Sequence, residues 1–434
     1  MDVSYSKTFD QSLLYSTSPK FLEAITERRA MREIPRSGSN NVKAGSQITI
    51  EISNDAFIDP QTCNLVFDLG LLASGGASAS TTSAIANATD VIQAIQIYYN
   101  EQLVDDIKDA NSWSNIFILN GCNVAYVNSE ANALMGMTNQ FSSVTTVNAS
   151  NKARTYSVPL CLVSGFMRAR QYIPLLGNKI RIVITVASNI DVISFLGVAG
   201  DYYVLSNVNL LYDSILTSSK YREDILNAMA TPSGIRIPYT SYQTGELSVV
   251  ASTVQNLKIT NSNSNSLSLH ILHSPEALKV ATVSSYMLCR ESYPLDTFSG
   301  YTCRSGSRYF TPPDGVKNLT EAYVNVEKTI SSFCDLSGSG VVNYNNFVGT
   351  YTPATTIAGG SYGLAVLSAN LEKAIANDDD VLNQGLSANS NGASNDFDIQ
   401  IKTASPLAST SLFLYNLVHR RCLTFMNSGV AVEF

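Results

Sequence analysis

The chain has 434 residues, 45% of them apolar, which is too long for one ordinary domain and implies two or three, each with a sizeable core. Charged residues make up only 15% and the formal net charge is −7. The first 43 residues carry seven Lys or Arg against five Asp or Glu, which excludes a basic arm built to neutralise nucleic acid and argues against dominant direct nucleic-acid binding.

A surface so poor in charge is made polar by Ser, Thr and Asn, and much of it is expected to be covered by neighbouring subunits. Seven scattered cysteines with no CxxC pair suit reduced thiols in an intracellular protein better than a disulfide framework. The N-terminal MDVSYSKTFDQSLLYST is too polar for a signal peptide, and no apolar window is long enough for a transmembrane helix. The sequons at Asn87, Asn148 and Asn318 are then read as chance matches.

Residues 1–42 read as an arm. Ser18-Pro19 is a helix start, and a short helix is predicted over 19–33 with Phe21, Leu22 and Ile25 on one side and Glu27, Arg28, Arg29 and Arg32 elsewhere. Two readings stay open: a helix packed on its own domain, or a tether to a neighbour, an internal membrane or a scaffold protein.

Strands follow in succession. QITIEIS (47–53) alternates apolar and polar, as a half-buried antiparallel strand does. NLVFDLGLL (64–72) comes after an expected turn at Asp59-Pro60, and the small-residue stretch 74–89 is expected to be exposed and mobile. DVIQAIQIYY (90–99) is a strand, Asn100-Glu101 a corner, 103–107 a short strand and 110–119 a helix. YSVPLCLV (156–163) is a short strand that Pro159 marks as an edge. KIRIVITV (179–186) and YVLSNVNLL (203–211) are strong strands, and 218–229 switches to a helical pattern, so a first β-domain ends near residue 217.

The second half repeats the style. Strands are predicted at 244–252, 253–259, 267–272, 280–289, 322–333, 396–403, 411–418 and 421–426, and the best helix at 364–376. No short-period repeat is visible, and many strands with long polar loops favour sandwiches or jelly rolls.

Motifs for chemistry are weak. His270 and His273 lie three apart on a predicted strand and so face opposite ways, with no third metal ligand nearby. There is no GxSxG elbow, P-loop or spaced calcium loop. Asp378-Asp379-Asp380 reads as a solvated acidic loop, and the adjacent Asp105-Asp106 pair offers no acid/base geometry. No catalytic, cofactor or metal residue is assigned, and the chain is expected not to be an enzyme.

Two strings resemble a known family. DVIQAIQIYYNEQLVDDIKDANSWSNIFIL (90–119) is similar to the strand, corner, strand and helix segment of double jelly-roll major capsid proteins of icosahedral viruses. IPLLGNKIRIVITVAS (173–188), YYVLSNVNLLYDSIL (202–216) and YREDIL (221–226) resemble the close of that family's first roll and its bridge to the second. The pattern covers about residues 45–230 and the second half by strand rhythm. This chain departs in having Asn100-Glu101 where members often have glycine.

The resemblance implies an all-β fold of two tandem eight-stranded jelly rolls. The expected division is an arm at 1–42, a first roll at 43–217, a helical linker at 218–240 and a second roll at 241–434. It also implies homotrimers of pseudo-hexagonal outline that tile a shell beside neighbouring capsomers and minor capsid or penton proteins. The chain would then reside in the virion after assembly inside the host cell, with no cofactor. The stretches 74–89 and 292–360 are expected outer towers. The arm helix, with Phe21, Leu22, Ile25, Arg28, Arg29 and Arg32, is expected to contact a neighbouring trimer, scaffold or internal membrane. A β-sandwich receptor-binding or adhesin module is the alternative, but heptads and shaft repeats are missing. A carbohydrate-active enzyme would expose several Trp, and Trp113 is alone.

Overall fold

In the computed structural model the described residues are 25–72, 84–85, 87–136, 154–194, 202–231, 234–261, 265–274, 298–330, 347, 365–372, 386, 396–407, 412–426 and 429–433. The first half supplies eight main strands: β1 (Ile25–Glu33), β2 (Gln47–Ser53), β3 (Phe57–Leu72), β4 (Ile92–Tyr99), β5 (Gln102–Ile107), β6 (Arg154–Pro159), β7 (Lys179–Val186) and β8 (Tyr202–Thr217). They form two antiparallel sheets, ordered β1-β8-β3-β6 and β2-β7-β4-β5. The second half supplies β9 (Ile235–Ser248), β10 (Val254–Ile259), β11 (Ser266–Ser274), β12 (Phe298–Ser305), β13 (Arg308–Tyr309), β14 (Val366–Asn370), β15 (Phe397–Thr403) and β16 (Leu412–Met426). Their sheets are ordered β9-β16-β11-β14 and β10-β15-β12-β13. Each strand of the second set occupies the place of the one eight earlier. The fold is a double jelly roll, and a ninth strand, β17 (Gly429–Glu433), adds to β16.

Alternation builds the cores. Ile50 of β2 pairs with Ile182 of β7, which pairs with Ile97 of β4, and the rows Ile48, Ile184, Ile95 and Ile52, Ile180, Tyr99 flank it. All nine side chains are buried. They face Leu65, Phe67, Leu69, Tyr203 and Leu205 of the other sheet, in one apolar cluster. β-Branched side chains suit such cross-strand rows because their χ1 freedom is already small, and each buried Ile contributes about 1.5–3 kcal/mol of burial free energy. Leu257, Ile399 and Cys303 make the corresponding row in the second roll.

The Asn100-Glu101 corner explains its own departure from glycine. Both residues have positive φ, 47° and 69°, as the mirror-image hairpin turns require. The Glu101 carboxylate takes Lys179 at 2.7 Å and Arg181 at 2.8 Å, contacts that glycine cannot make.

Several expectations are corrected. The arm is a strand over its described part: Ile25–Glu33 pairs along β8 from Thr217 to Leu210, with a bulge near Ile25. The apolar spacing at Phe21, Leu22 and Ile25 suggested a helix, but the free hydrogen-bonding edge of β8 outweighs local propensity. Asp59-Pro60 is no turn, since β3 runs through it. The ladder jumps from Asp213↔Asp59 to Leu211↔Asn64, so Pro60 sits in a bulge where no N–H is needed, and the Thr62 hydroxyl accepts the Asp213 N–H instead at 2.9 Å.

The helix expected at 364–376 is strand β14, buried at Val366, Leu367, Ser368 and Ala369; burial on both faces erases alternation. Conversely, the strand expected at 322–333 is in its described part a helix, α2 after α1 (Ala110–Gly121), spanning Leu319–Thr329. Ala322 and Val326, one turn apart, are its buried residues, and Asn318 caps it by accepting the Glu321 N–H at 2.9 Å. The expected tower 292–360 therefore contains β12, β13 and α2. Of 74–89, residues Asn87 to Thr89 are buried, while 74–83 lie outside the described residues. The second roll's first strand begins at Ile235, inside the stretch read as linker, after a helix at Ser219–Met229 capped by Ser218. The expected strand 280–289 and the acidic run 378–380 lie outside the described residues.

Candidate functional site

The feature that organises the described residues is the junction where β5 and the loop after β6 meet β9 and β16. Its centre is Asp105, fully buried. A bulge sets this up: Ile97 pairs with Asp105 and Tyr98 with Leu103, leaving Val104 unpaired. Val104 and Asp105 therefore both turn inward, while Asp106 on the other face accepts the Gln96 amide at 3.1 Å. The Asp105 carboxylate accepts the Ser164 hydroxyl at 2.6 Å, the Ser241 hydroxyl at 2.7 Å and, at longer range, the Phe166 N–H at 3.5 Å. Burial pushes its carboxyl up from the ordinary range, against the pull of these donors and of nearby Arg421. The bulged Val104 carbonyl accepts the Tyr239 hydroxyl at 2.9 Å and Arg421 Nη1 at 3.3 Å. Lys108 N–H donates to the Thr244 hydroxyl at 2.8 Å.

Aromatic rings close the junction around this polar centre. Phe166 meets Tyr239 edge-on at 5.2 Å, Tyr99 meets Phe425 at 5.0 Å, and Phe117 of α1 stacks on Tyr242 at 5.5 Å while taking His270 edge-on at 5.6 Å. Such pairs add about 0.5–1.5 kcal/mol each beyond burial. Gly165 lets the backbones touch: a Cβ there would lie 1.9 Å from the Thr240 carbonyl oxygen. Gly165→Ala is therefore expected to lower stability by about 2–3 kcal/mol, the cost of forcing packed backbones apart; thermal unfolding that matches wild type would refute this close approach.

The three histidines are structural in their surroundings. His270 lies between the hydroxyls of Ser268 (2.9 Å) and Ser368 (2.8 Å), and His273 lies on the opposite face against Phe413. His419 donates its Nδ1–H to the Leu417 carbonyl at 3.1 Å. Burial lowers their pKa values to about 3, about 4 and about 3 respectively. Among the described residues no group of three His, Cys, Asp or Glu is placed to hold a metal ion. Trp113 is buried and offers no exposed sugar-binding face. Asn87, the first sequon residue, is buried and donates to Asn115 at 2.7 Å, and Asn318 is the cap of α2.

Of the arm residues, Phe21 and Leu22 lie outside the described residues. Ile25 is 46% exposed. Arg28 bridges Asp213 at 2.6 Å and Asp59 at 2.8 Å, binding β1 to the first roll. Arg29 pairs with Glu27 at 2.6 Å, and Arg32 is exposed on the same strand face as Arg28. The structure thus brings Arg28, Arg29 and Arg32 onto one edge strand, not onto a helix.

No family model matches this sequence, and no curated protein matches it in sequence. Solved structures do match in fold. PBCV-1 VP54, fitted into a reconstruction of the virophage Sputnik, is 12% identical with a TM-score of 0.57, covering 94% of this chain and 97% of that one. The Faustovirus major capsid protein is 9% identical with a TM-score of 0.56, over 95% of this chain and 92% of that one. The Sputnik virophage structure gives 9% and 0.54, over 97% and 91%. This chain has the double jelly-roll fold that these viral capsid structures share.

Proposed function

We propose that this chain is a major capsid protein, a structural tile of an icosahedral virion with no catalytic role. The observation that carries the reading is the junction: two rolls of identical strand order are locked into one block by a buried carboxylate and interlocking aromatics. Fold similarity to major capsid proteins over nearly the whole chain supports it further. In this reading three copies associate into a trimer of pseudo-hexagonal outline, because each copy contributes two similar upright blocks. Trimers then tile beside neighbouring capsomers and minor or penton proteins, and the chain resides in the virion.

The arm acts outside the rolls. Residues 1–24 precede β1, and they act together with the exposed Ile25, Arg29 and Arg32 of the edge strand in contacting a neighbouring trimer, scaffold or internal membrane. Because β1 belongs to the first roll, the test is a deletion that stops at residue 24. Deleting 1–24 is expected to leave the trimer mass and the melting temperature unchanged while abolishing shells in electron micrographs. Normal shells from the deleted chain would contradict the arm's role.

A further inference from the structure

Strand β1 ends its sheet: β8 pairs with one side of it, and no described strand pairs with the other. Its nine residues are exposed or half-buried throughout, and from Glu27 to Glu33 the ladder to β8 runs without a bulge. An open edge of this kind is a template for a further strand. The two faces of β1 differ in chemistry. Arg29 and Met31 lie opposite the buried Ser214 and Tyr212, on the core side, and Met31 packs against the core. Glu27 shares that side and holds Arg29 at 2.6 Å. Arg28 turns to the outer side, where Asp59 and Asp213 hold it, and the exposed Arg32 shares that side.

The sequence of the arm matches this edge. Asp2-Val3-Ser4-Tyr5-Ser6-Lys7 alternates in character at the period of a strand, and Val3 and Tyr5 are good β-formers. Laid antiparallel along β1 with Lys7 opposite Glu27, the stretch sets Tyr5 opposite Arg29, Val3 opposite Met31 and Asp2 opposite Arg32. Ser6 and Ser4 then fall opposite Arg28 and Ala30. Directly opposite residues share a face of the sheet. The core side thus gains an ion pair, a ring beside a guanidinium and an apolar pair, and the outer side gains a second ion pair. A slip of two residues puts Lys7 against Arg29 or against Ile25 at the bulge, and a slip of one turns Val3 and Tyr5 to the outer side. We propose that residues 2–7 of a neighbouring copy add as a strand to the open edge of β1. Backbone hydrogen bonds along the edge give such a contact its strength, and the side-chain pairs fix its register. The inference rests on the tile reading, in which the arm acts on neighbours, and it names the surface that receives the arm.

The test uses full-length protein, assembled from equal parts of unlabelled and nitrogen-15-labelled chains and treated with a carbodiimide, which joins a lysine amine to a carboxylate in direct contact. Mass spectrometry of the digested shells is expected to show a Lys7–Glu27 cross-link, including mixed-label pairs, and to lose it in Glu27→Gln. Lys7→Glu and Glu27→Lys are each expected to abolish shells in electron micrographs, and the double variant to restore them. Melting temperatures equal to wild type show that the rolls stay folded in each. Shells that form without the cross-link, or normal shells from both single variants, would overturn the contact while leaving the tile reading intact. Cross-links found only in single-label form would mean that the arm folds back on its own β1, overturning the assignment to a neighbouring copy. Absence of shells from the wild-type chain would contradict the tile reading itself, and this contact with it.

Discussion

Asp105→Ala is expected to lower stability by about 3 kcal/mol or more and to separate the unfolding of the two rolls into two transitions. The Ser164 and Ser241 hydroxyls would lose a partner they reach at 2.6 and 2.7 Å, and each buried polar group left unsatisfied costs about 1–3 kcal/mol. Arg421, near the same carboxylate, would lose its compensating charge. Asp105→Asn should be milder, about 1–2 kcal/mol, because an amide keeps the volume and an acceptor oxygen. Calorimetry at neutral pH reads both variants. A single transition at the wild-type temperature for Asp105→Ala would remove the carboxylate from the centre of the junction.

Acidification is expected to loosen the second roll before the first. His270, His273 and His419, the three histidines of the chain, all lie in the β9-β16-β11-β14 sheet, and burial depresses each pKa, to about 3, 4 and 3. The sign follows from proton binding: the unfolded chain takes up these protons near pH 6.5 and the folded chain only near pH 3–4. Stability is therefore full above pH 6.5 and falls as the pH drops from there toward the folded values. At pH 5 each histidine costs about 2 kcal/mol and the three together about 6 kcal/mol, on the order of 15 °C in melting temperature for a roll of this size. His270→Gln, which keeps hydrogen-bonding capacity toward Ser268 and Ser368, should recover about a third of the loss between pH 7.5 and pH 5. A melting temperature with the same pH dependence in wild type and in a variant lacking all three histidines would contradict this account.

The strands that alternate against a single core were legible from the residues alone. QITIEIS and KIRIVITV are strands at the expected bounds because one face of each is buried and the other wet. Helix Ala110–Gly121 was legible too. Legibility failed where both faces are buried, as at Val366–Asn370, where no period remains to be read. It failed again at Ile25–Glu33, where a charged edge strand carries little apolar pattern and its partner lies about 190 residues away. Asp105 was invisible for a related reason. A bulge turns two successive residues inward, and its hydroxyl donors come from positions 59 and 136 residues away.

The most direct test of the tile reading is the native mass of the purified protein by light scattering, followed by negative-stain imaging of the same peak. The expected result is a particle of about three times the 46.9 kDa chain with a six-lobed outline. A stable monomer at micromolar concentration, with no shells under any assembly condition, would contradict it.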